Sequence, residues 1–247
     1  MRAFKLAGWK CVKFDLGMTQ SPDPTLLEGS NLRLAIMGKM AAGKTFASGH
    51  LVEQWGGKAW TTSERIKQIS HALIDQNGDL GALMEVVIVD PTLQELATRE
   101  LLRFADSYQA EPGLKPRRLY QEVGQILRDL DPSTRFCWEE DLERRLEATQ
   151  SDFTIIDIRA RESFQYFVEE RAYHSLLISA PLEVRHRRML ERDSNAITDP
   201  ALLNHVSETD VDSLNFEFVI ENEQDDASHL FAELDQLIVG LVGKQQQ

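Results

Sequence analysis

The chain has 247 residues, with 27 Lys and Arg against 40 Asp and Glu and a formal net charge of -13; so acidic a surface repels polyanions, which argues against a general nucleic-acid or membrane-surface binder. The length allows one α/β domain with a helical insertion or two small domains, either able to bury a core, and we read one. The only cysteines are Cys11 and Cys137, which suggests a reducing compartment, and the absence of a membrane-length apolar run or secretory leader makes a cytoplasmic protein the expectation.

Residues 1–31 mix Phe4, Leu6, Trp9, Val12 and Phe14 with the turn-rich Ser21-Pro22-Asp23-Pro24. They read as an N-terminal extension that is a docked arm, a short strand or an unstructured lead. The apolar strand Leu32 to Met37 then breaks into Gly38-Lys39-Met40-Ala41-Ala42-Gly43-Lys44-Thr45, a complete G-x-x-x-x-G-K-T phosphate loop that runs on into a helix ending near Trp55. Its glycines let backbone N–H groups turn inward around phosphate oxygens, Lys44 reaches the β- and γ-phosphates, and the Thr45 hydroxyl holds Mg²⁺.

After Gly56-Gly57, residues 58–62 read as a short second strand, and Ser63 caps a helix running towards Asn77 that carries Arg65 and Lys67. These two residues are either a solvated basic turn or substrate contacts. Met84 to Asp90 mimics a strand ending in an acidic metal partner, but it can equally be the front of a helix, because Pro91 restarts helical periodicity through Tyr108. Glu111-Pro112-Gly113 is a linker. Two more helices follow, Leu119 to Leu130 behind Lys115-Pro116-Arg117-Arg118, and Thr134 to Thr149 with Trp138. Residues 63–150 therefore read as a helical insertion over the sheet edge, a common position for a substrate cover.

Strand character returns at Phe153 to Ile158, at Ser175 to Ser179 and at Phe216 to Asn222; Pro181 opens a helix to Arg192, and a closing helix covers Ala227 to Val242. Strands alternating with helices predict a mainly parallel five-stranded sheet covered on both faces, a three-layer α/β sandwich of the P-loop NTPase class. Ligands then belong at the carboxyl ends of the strands, where Gly38, Asp157 and Asn222 gather.

Phosphoryl transfer depends on alignment and charge neutralisation, so arginine clusters are candidates for the second substrate. They are Arg117 with Arg118, Arg128, and the run Arg185 to Arg192. The last reads as an arginine-rich lid over about 185–205, or as a charged helix face paired with Glu183 and Glu191. Asp157 is a holder of Mg²⁺ water, an acceptor for groups of the second substrate, or a strand-end cap, with Arg159 projecting to its side. Gln121, Gly124 and Arg128 share a helix face that admits a base or sugar, or simply packs a neighbouring helix. Trp138 is a candidate to stack on a base, with core packing as the competing role. His205 and Ser207 lack metal-ligand partners, and no Ser-His-Asp or zinc signature occurs.

The phosphate loop, Arg118-x-x-Gln121-x-x-Gly124-x-x-x-Arg128, Asp157-x-Arg159-x-x-Glu162, the arginines before Asp193, and His205-x-Ser207-Glu208 ahead of the strand ending at Asn222 resemble phage-type deoxynucleoside monophosphate kinases. The resemblance runs from about Leu32 to the last helix. It implies a nucleoside monophosphate kinase fold over 32–243, ATP and Mg²⁺ as cofactors, and γ-phosphoryl transfer to a (deoxy)nucleoside monophosphate. It also implies a triphosphate site at Gly38 to Thr45, acceptor contacts from Arg65, Gln121, Arg128, Asp157 and Arg159, and lid arginines at Arg188 and Arg192. Two features depart from the family: Thr62-Ser63-Glu64-Arg65-Ile66-Lys67 lacks the Asp that often precedes the lysine, and the stretch around Met84 to Gly113 is long.

The expected protein is thus a kinase acting on a small nucleotide, with Lys44, Arg128, Asp157, Arg159, Arg188 and Arg192 at the chemistry. Thr45 and Asp157 are its metal partners, and a homodimer is left open. A dephospho-coenzyme A kinase-like enzyme, with Asp157 as general base, is the enzymatic alternative. A nucleotide-binding regulatory or assembly protein without acceptor turnover is the other.

Overall fold

The computed structural model describes residues 23–75, 79–109, 116–192, 210–224 and 226–245. The chain divides into two compact units, Met1–Trp60 with Ser151–Gln247, and Thr61–Gln150. In the first unit lies a five-stranded parallel sheet in the order β2-β3-β1-β4-β5, built from β1 (Leu32–Met37), β2 (Lys58–Thr61), β3 (Phe153–Asp157), β4 (His174–Ser179) and β5 (Phe218–Glu221).

Alternation along the strands sorts their side chains to two faces. Leu32, Leu34, Ile36, Phe153, Ile155, Leu176, Ile178, Phe218 and Ile220 share one core. Ala35, Met37 and Ile156 point the other way and are equally buried, as the central strands of a parallel sheet require. On the first face pack α1 (Lys44–Trp55) through Ala47, Leu51 and Trp55, at the i, i+4 and i+8 positions of one helix face, and the last helix through Leu230, Leu234, Leu237 and Leu241. Asp235 joins these two helices by accepting from Trp55 Nε1 at 2.7 Å and pairing with His50 at 2.7 Å, while the His50 ring stacks on Phe231. Ahead of β1, the short 3-10 turn Pro24–Leu27 buries Leu27 in the same core.

The second unit is helical: α2 (Ser63–Asp75), α3 (Leu80–Val87), α4 (Pro91–Ser107), α5 (Arg117–Asp129) and α6 (Cys137–Glu147). Ile69, Met84, Val87, Leu101, Val123, Leu127 and Trp138 form its core. Met84 to Val87 is therefore the end of α3, with Ile88 extended beyond it, and the run is not a strand ending in a metal partner. Asp90 is the N-cap of α4, its carboxylate accepting from Thr92 N at 2.7 Å and Leu93 N at 3.4 Å. The helix expected from Thr134 begins only at Cys137, because Asp131 and Thr134 close a capping box around the preceding 3-10 turn. At α2, Ser63 lies inside the helix, and the Thr61 hydroxyl accepts its backbone N–H at 3.2 Å.

The first unit continues with α7 (Arg161–Phe164), which runs into a π-helical turn, α8 (Leu182–Arg192) and α9 (Ser228–Gln245). Among the described residues no helix is long and apolar enough to cross a membrane. Cys137 is free and buried. Residues 1–22, the linker 111–113, the polar segment 193–204 and the stretch with His205, Ser207 and Glu208 lie outside the described residues, as does the Arg192 side chain.

Candidate functional site

β1 delivers the chain to Gly38 at the carboxyl edge of the sheet, and α1 carries it away from Lys44. Between them the loop is pressed against the ends of β4 and β5. A Cβ at Gly38 would collide with the Ile178 carbonyl, so the first glycine is set by close approach of two backbones. Gly43 has φ 112°, which L side chains rarely adopt, and a Cβ there would strike the Asn222 amide. Ala41 shares the left-handed region at φ 61°. The Ala42 N–H closes a turn on the Lys39 carbonyl at 3.1 Å.

Lys44 is nearly buried, and its ammonium lies over the start of its own loop, donating to the Gly38 carbonyl and, at 3.2 Å, to that of Lys39. Thr45, at the first turn of α1, is exposed. Lys39 projects outward and pairs at 2.7 Å with Asp212, on the 3-10 turn Asp210–Ser213; Asp210 in turn accepts from the Arg161 backbone N–H. A helix N-terminus, a glycine-bounded loop and a lysine held by carbonyls give one site suited to a multiply charged anion.

β3 lies beside β1, with Asp157 in register with Ile36, so the carboxylate stands at the same sheet edge as Gly38. Its Oδ1 is buried without a hydrogen-bond partner, and its Oδ2 is 3.5 Å from the guanidinium of the half-exposed Arg159. Sequence proximity thus brings these two residues together, one at the strand's end and the other just beyond it.

On the far side of the loop, sequence reasoning missed the partners. Arg188 was expected on a lid, yet it donates to the Ala41 carbonyl at 3.5 Å, to Asn222 Oδ1 at 3.3 Å and to the Gln224 carbonyl. Arg185, itself buried, donates to the Met40 carbonyl at 3.4 Å. Asn222 Nδ2 donates to the Ala42 carbonyl at 2.8 Å. The signal available for Asn222 was its position as a lone amide at a strand end; for Arg185 there was only its place in a dense run.

The helical unit holds its own candidates differently. Arg128 is bidentate on Glu139, at 2.6 Å and 3.0 Å, and also donates to the Arg135 carbonyl, with side-chain exposures of 8% and 0% for the pair. This guanidinium braces α5 against α6. Arg65 donates to the buried Asp141 at 3.2 Å and 3.4 Å, and Arg145 reaches the same carboxylate at 3.1 Å. Trp138 is fully buried, its indole N–H donating to the Gly124 carbonyl at 3.0 Å, so it packs the core and does not offer a face to a base. Gly124 brings α5 close to Ile66 of α2. Lys67 and Arg118 are exposed and Gln121 is half-buried. Among the described residues no group of three or more His, Cys, Asp or Glu side chains gathers as a metal cluster.

A scan against protein-family models finds no match, and a search of curated proteins finds none. Among solved structures the chain is similar to TT1252 from Thermus thermophilus, with 20% sequence identity and a TM-score of 0.50, covering 86% of this chain and 97% of that one. That likeness carries the fold, a P-loop NTPase-like three-layer sandwich with a parallel five-stranded sheet.

Proposed function

We propose that this protein is an ATP-dependent kinase that transfers the γ-phosphoryl group to a (deoxy)nucleoside monophosphate, as a member of the phage-type deoxynucleoside monophosphate kinase group. The observation that carries the reading is the pairing of the loop at Gly38 to Thr45 with an orphaned carboxylate oxygen of Asp157 at the same sheet edge. A triphosphate fits that loop because it opens the N-terminus of α1 with Lys44 beside it, and both glycines let the backbone lie where a Cβ would collide with Ile178 or Asn222. A hydrated Mg²⁺ fits beside it because the Thr45 hydroxyl is exposed and Asp157 Oδ1 lacks a donor.

In this reading Lys44 exchanges the Gly38 and Lys39 carbonyls for the β- and γ-phosphates, a swap of neutral acceptors for charged ones. Thr45 and Asp157 would hold Mg²⁺, which supplies neutralisation of the charge on the transferring group. Arg159, exposed and tethered only at 3.5 Å in its ion pair with Asp157, turns its guanidinium to the equatorial oxygens. An acceptor phosphate oxygen attacks the γ-phosphorus, the bond to the bridging oxygen breaks, and ADP leaves with the nucleoside diphosphate formed. No general base is required, since the acceptor is already an anion. Acceptor binding is assigned to the helical unit, through Lys67, Arg118 and Gln121, with Arg65 and Arg128 shaping that unit from within. The expected setting is the cytoplasm.

The test is a coupled ADP-release assay with Mg-ATP against the eight common ribo- and deoxyribonucleoside monophosphates and dephospho-coenzyme A, with Lys44→Ala as control. Release that depends on one monophosphate and is lost in the control supports the proposal. Release with dephospho-coenzyme A alone, abolished by Asp157→Asn, would replace it with a hydroxyl-directed kinase. ATP binding with silence on every acceptor would leave a nucleotide-binding regulatory protein.

A further inference from the structure

The phosphate loop is held from outside by side chains that reach three consecutive carbonyls, Met40, Ala41 and Ala42, each of which accepts from a donor on α8 or just after β5. We infer that Asn222, Arg188 and Arg185 form a carbonyl clamp that sets the loop in its anion-receiving form before any ligand arrives, so that Asn222 and Arg188 are positioning residues for phosphate binding. The inference rests on the triphosphate reading of the loop.

The argument is geometric. In a trans peptide the carbonyl of one residue and the N–H of the next point in opposite directions. Fixing the Met40 and Ala42 carbonyls outward therefore aims the N–H groups of Ala41 and Gly43 inward. The middle peptide is fixed twice, by Arg188 on the Ala41 carbonyl and by the Ala42 N–H on the Lys39 carbonyl. Without these donors, a segment containing two residues at positive φ would sample other peptide orientations, and anion binding would have to restore the ordered one.

Asn222 is the hinge of the arrangement. Its amide orientation is fixed by chemistry on both sides, since the Ala42 carbonyl can only accept and the Arg188 guanidinium can only donate. The residue is nearly buried, and its own N–H extends the β4–β5 ladder onto the Ser179 carbonyl at 2.7 Å. The sheet thus reaches through one side chain into the loop. Gly43 completes the fit, because a Cβ there would occupy the position of the Asn222 amide. Asp at position 222 would present an anion to the Ala42 carbonyl and Ala would present nothing, whereas Lys at 188 would keep a donor but lose the two-pronged reach.

The experiment titrates the full-length protein with Mg-ATP and, separately, with inorganic tripolyphosphate by calorimetry, for the wild type, Asn222→Ala, Asn222→Asp, Arg188→Ala, Arg188→Lys and Lys44→Ala. Amide hydrogen exchange over residues 38–45 is followed without ligand. Asn222→Ala and Asn222→Asp are expected to weaken both ligands by roughly tenfold or more, equivalent to one buried hydrogen bond or better, with faster exchange in the loop before ligand is added. Arg188→Lys should retain more affinity than Arg188→Ala. Because tripolyphosphate carries no base, equal losses on both ligands mark a preorganised loop. A loss on ATP alone would make Asn222 a base contact and overturn the clamp. So would unchanged affinity in both Asn222→Ala and Arg188→Ala while Lys44→Ala abolishes binding. If the wild type binds neither ligand, the triphosphate reading falls and the clamp falls with it.

Discussion

The arginines that touch the phosphate loop and those that brace the helical unit face different partners. Around the loop, Arg185 and Arg188 donate to backbone carbonyls; in the helical unit, Arg65, Arg128 and Arg145 meet carboxylates buried among helices. A carbonyl partner ties the guanidinium to the backbone of the loop. A carboxylate partner cancels its charge and braces a scaffold, at a desolvation cost that only good geometry offsets. The same residue type in an acidic chain thus ties down a loop in one place and cross-braces helices in the other.

The sharpest way to break this contrast is Arg128→Ala. Stranding Glu139 without its partner should destabilise the protein by about 3–5 kcal/mol, read as a lower denaturant midpoint, whereas Arg188→Ala should act on phosphate affinity. An Arg128→Ala protein of unchanged stability that had lost only acceptor affinity would put Arg128 back at the chemistry. Next in size is Trp138→Phe, which removes the indole donor to the Gly124 carbonyl and volume from a fully buried position and should cost about 1–3 kcal/mol with the Michaelis constant for any acceptor unmoved; a large rise in that constant would restore the stacking role. Asp90→Ala should cost about 1 kcal/mol through the lost cap and leave the Mg²⁺ dependence of turnover unaltered, a result that separates the capping carboxylate from Asp157. The smallest effect is expected at Cys137, whose thiol is pushed up by burial, Arg128 opposing only in part. In a Cys11→Ser background, a thiol reagent at neutral pH should leave the native protein unlabelled and react once it is unfolded.

Much of the frame was legible in the chain. The G-x-x-x-x-G-K-T spacing fixed the loop between an apolar strand and a helix, and strand ends at Asp157 and Asn222 followed from hydrophobic runs interrupted by a polar residue. What escaped was partner choice. Arg128 and Glu139 meet across a turn of chain, and Arg188 meets Ala41 from 147 positions away; a one-dimensional pattern records the guanidinium but not the group it faces. Met84 to Asp90 was ambiguous for a different reason. A short apolar run has no period of its own, and only packing against α4 and α6 decided Met84 to Val87 as helix.

The turn Pro24–Leu27 ahead of β1 bears on where this fold can be cut. Leu27 is set into the α1–α9 core, and the residues behind it are stitched to the start of β3. Asp152 accepts from Gly29 N–H through its carboxylate, and from the Ser30 hydroxyl and Leu32 N–H through its carbonyl. A protein shortened to begin at the first strand would keep every residue of the phosphate loop yet open a hole where Leu27 packs and strip Asp152 of its Gly29 and Ser30 partners. A protein that begins at residue 23 keeps Leu27 and the contacts to Asp152. The foundation of the site therefore reaches upstream of the motif that announces it.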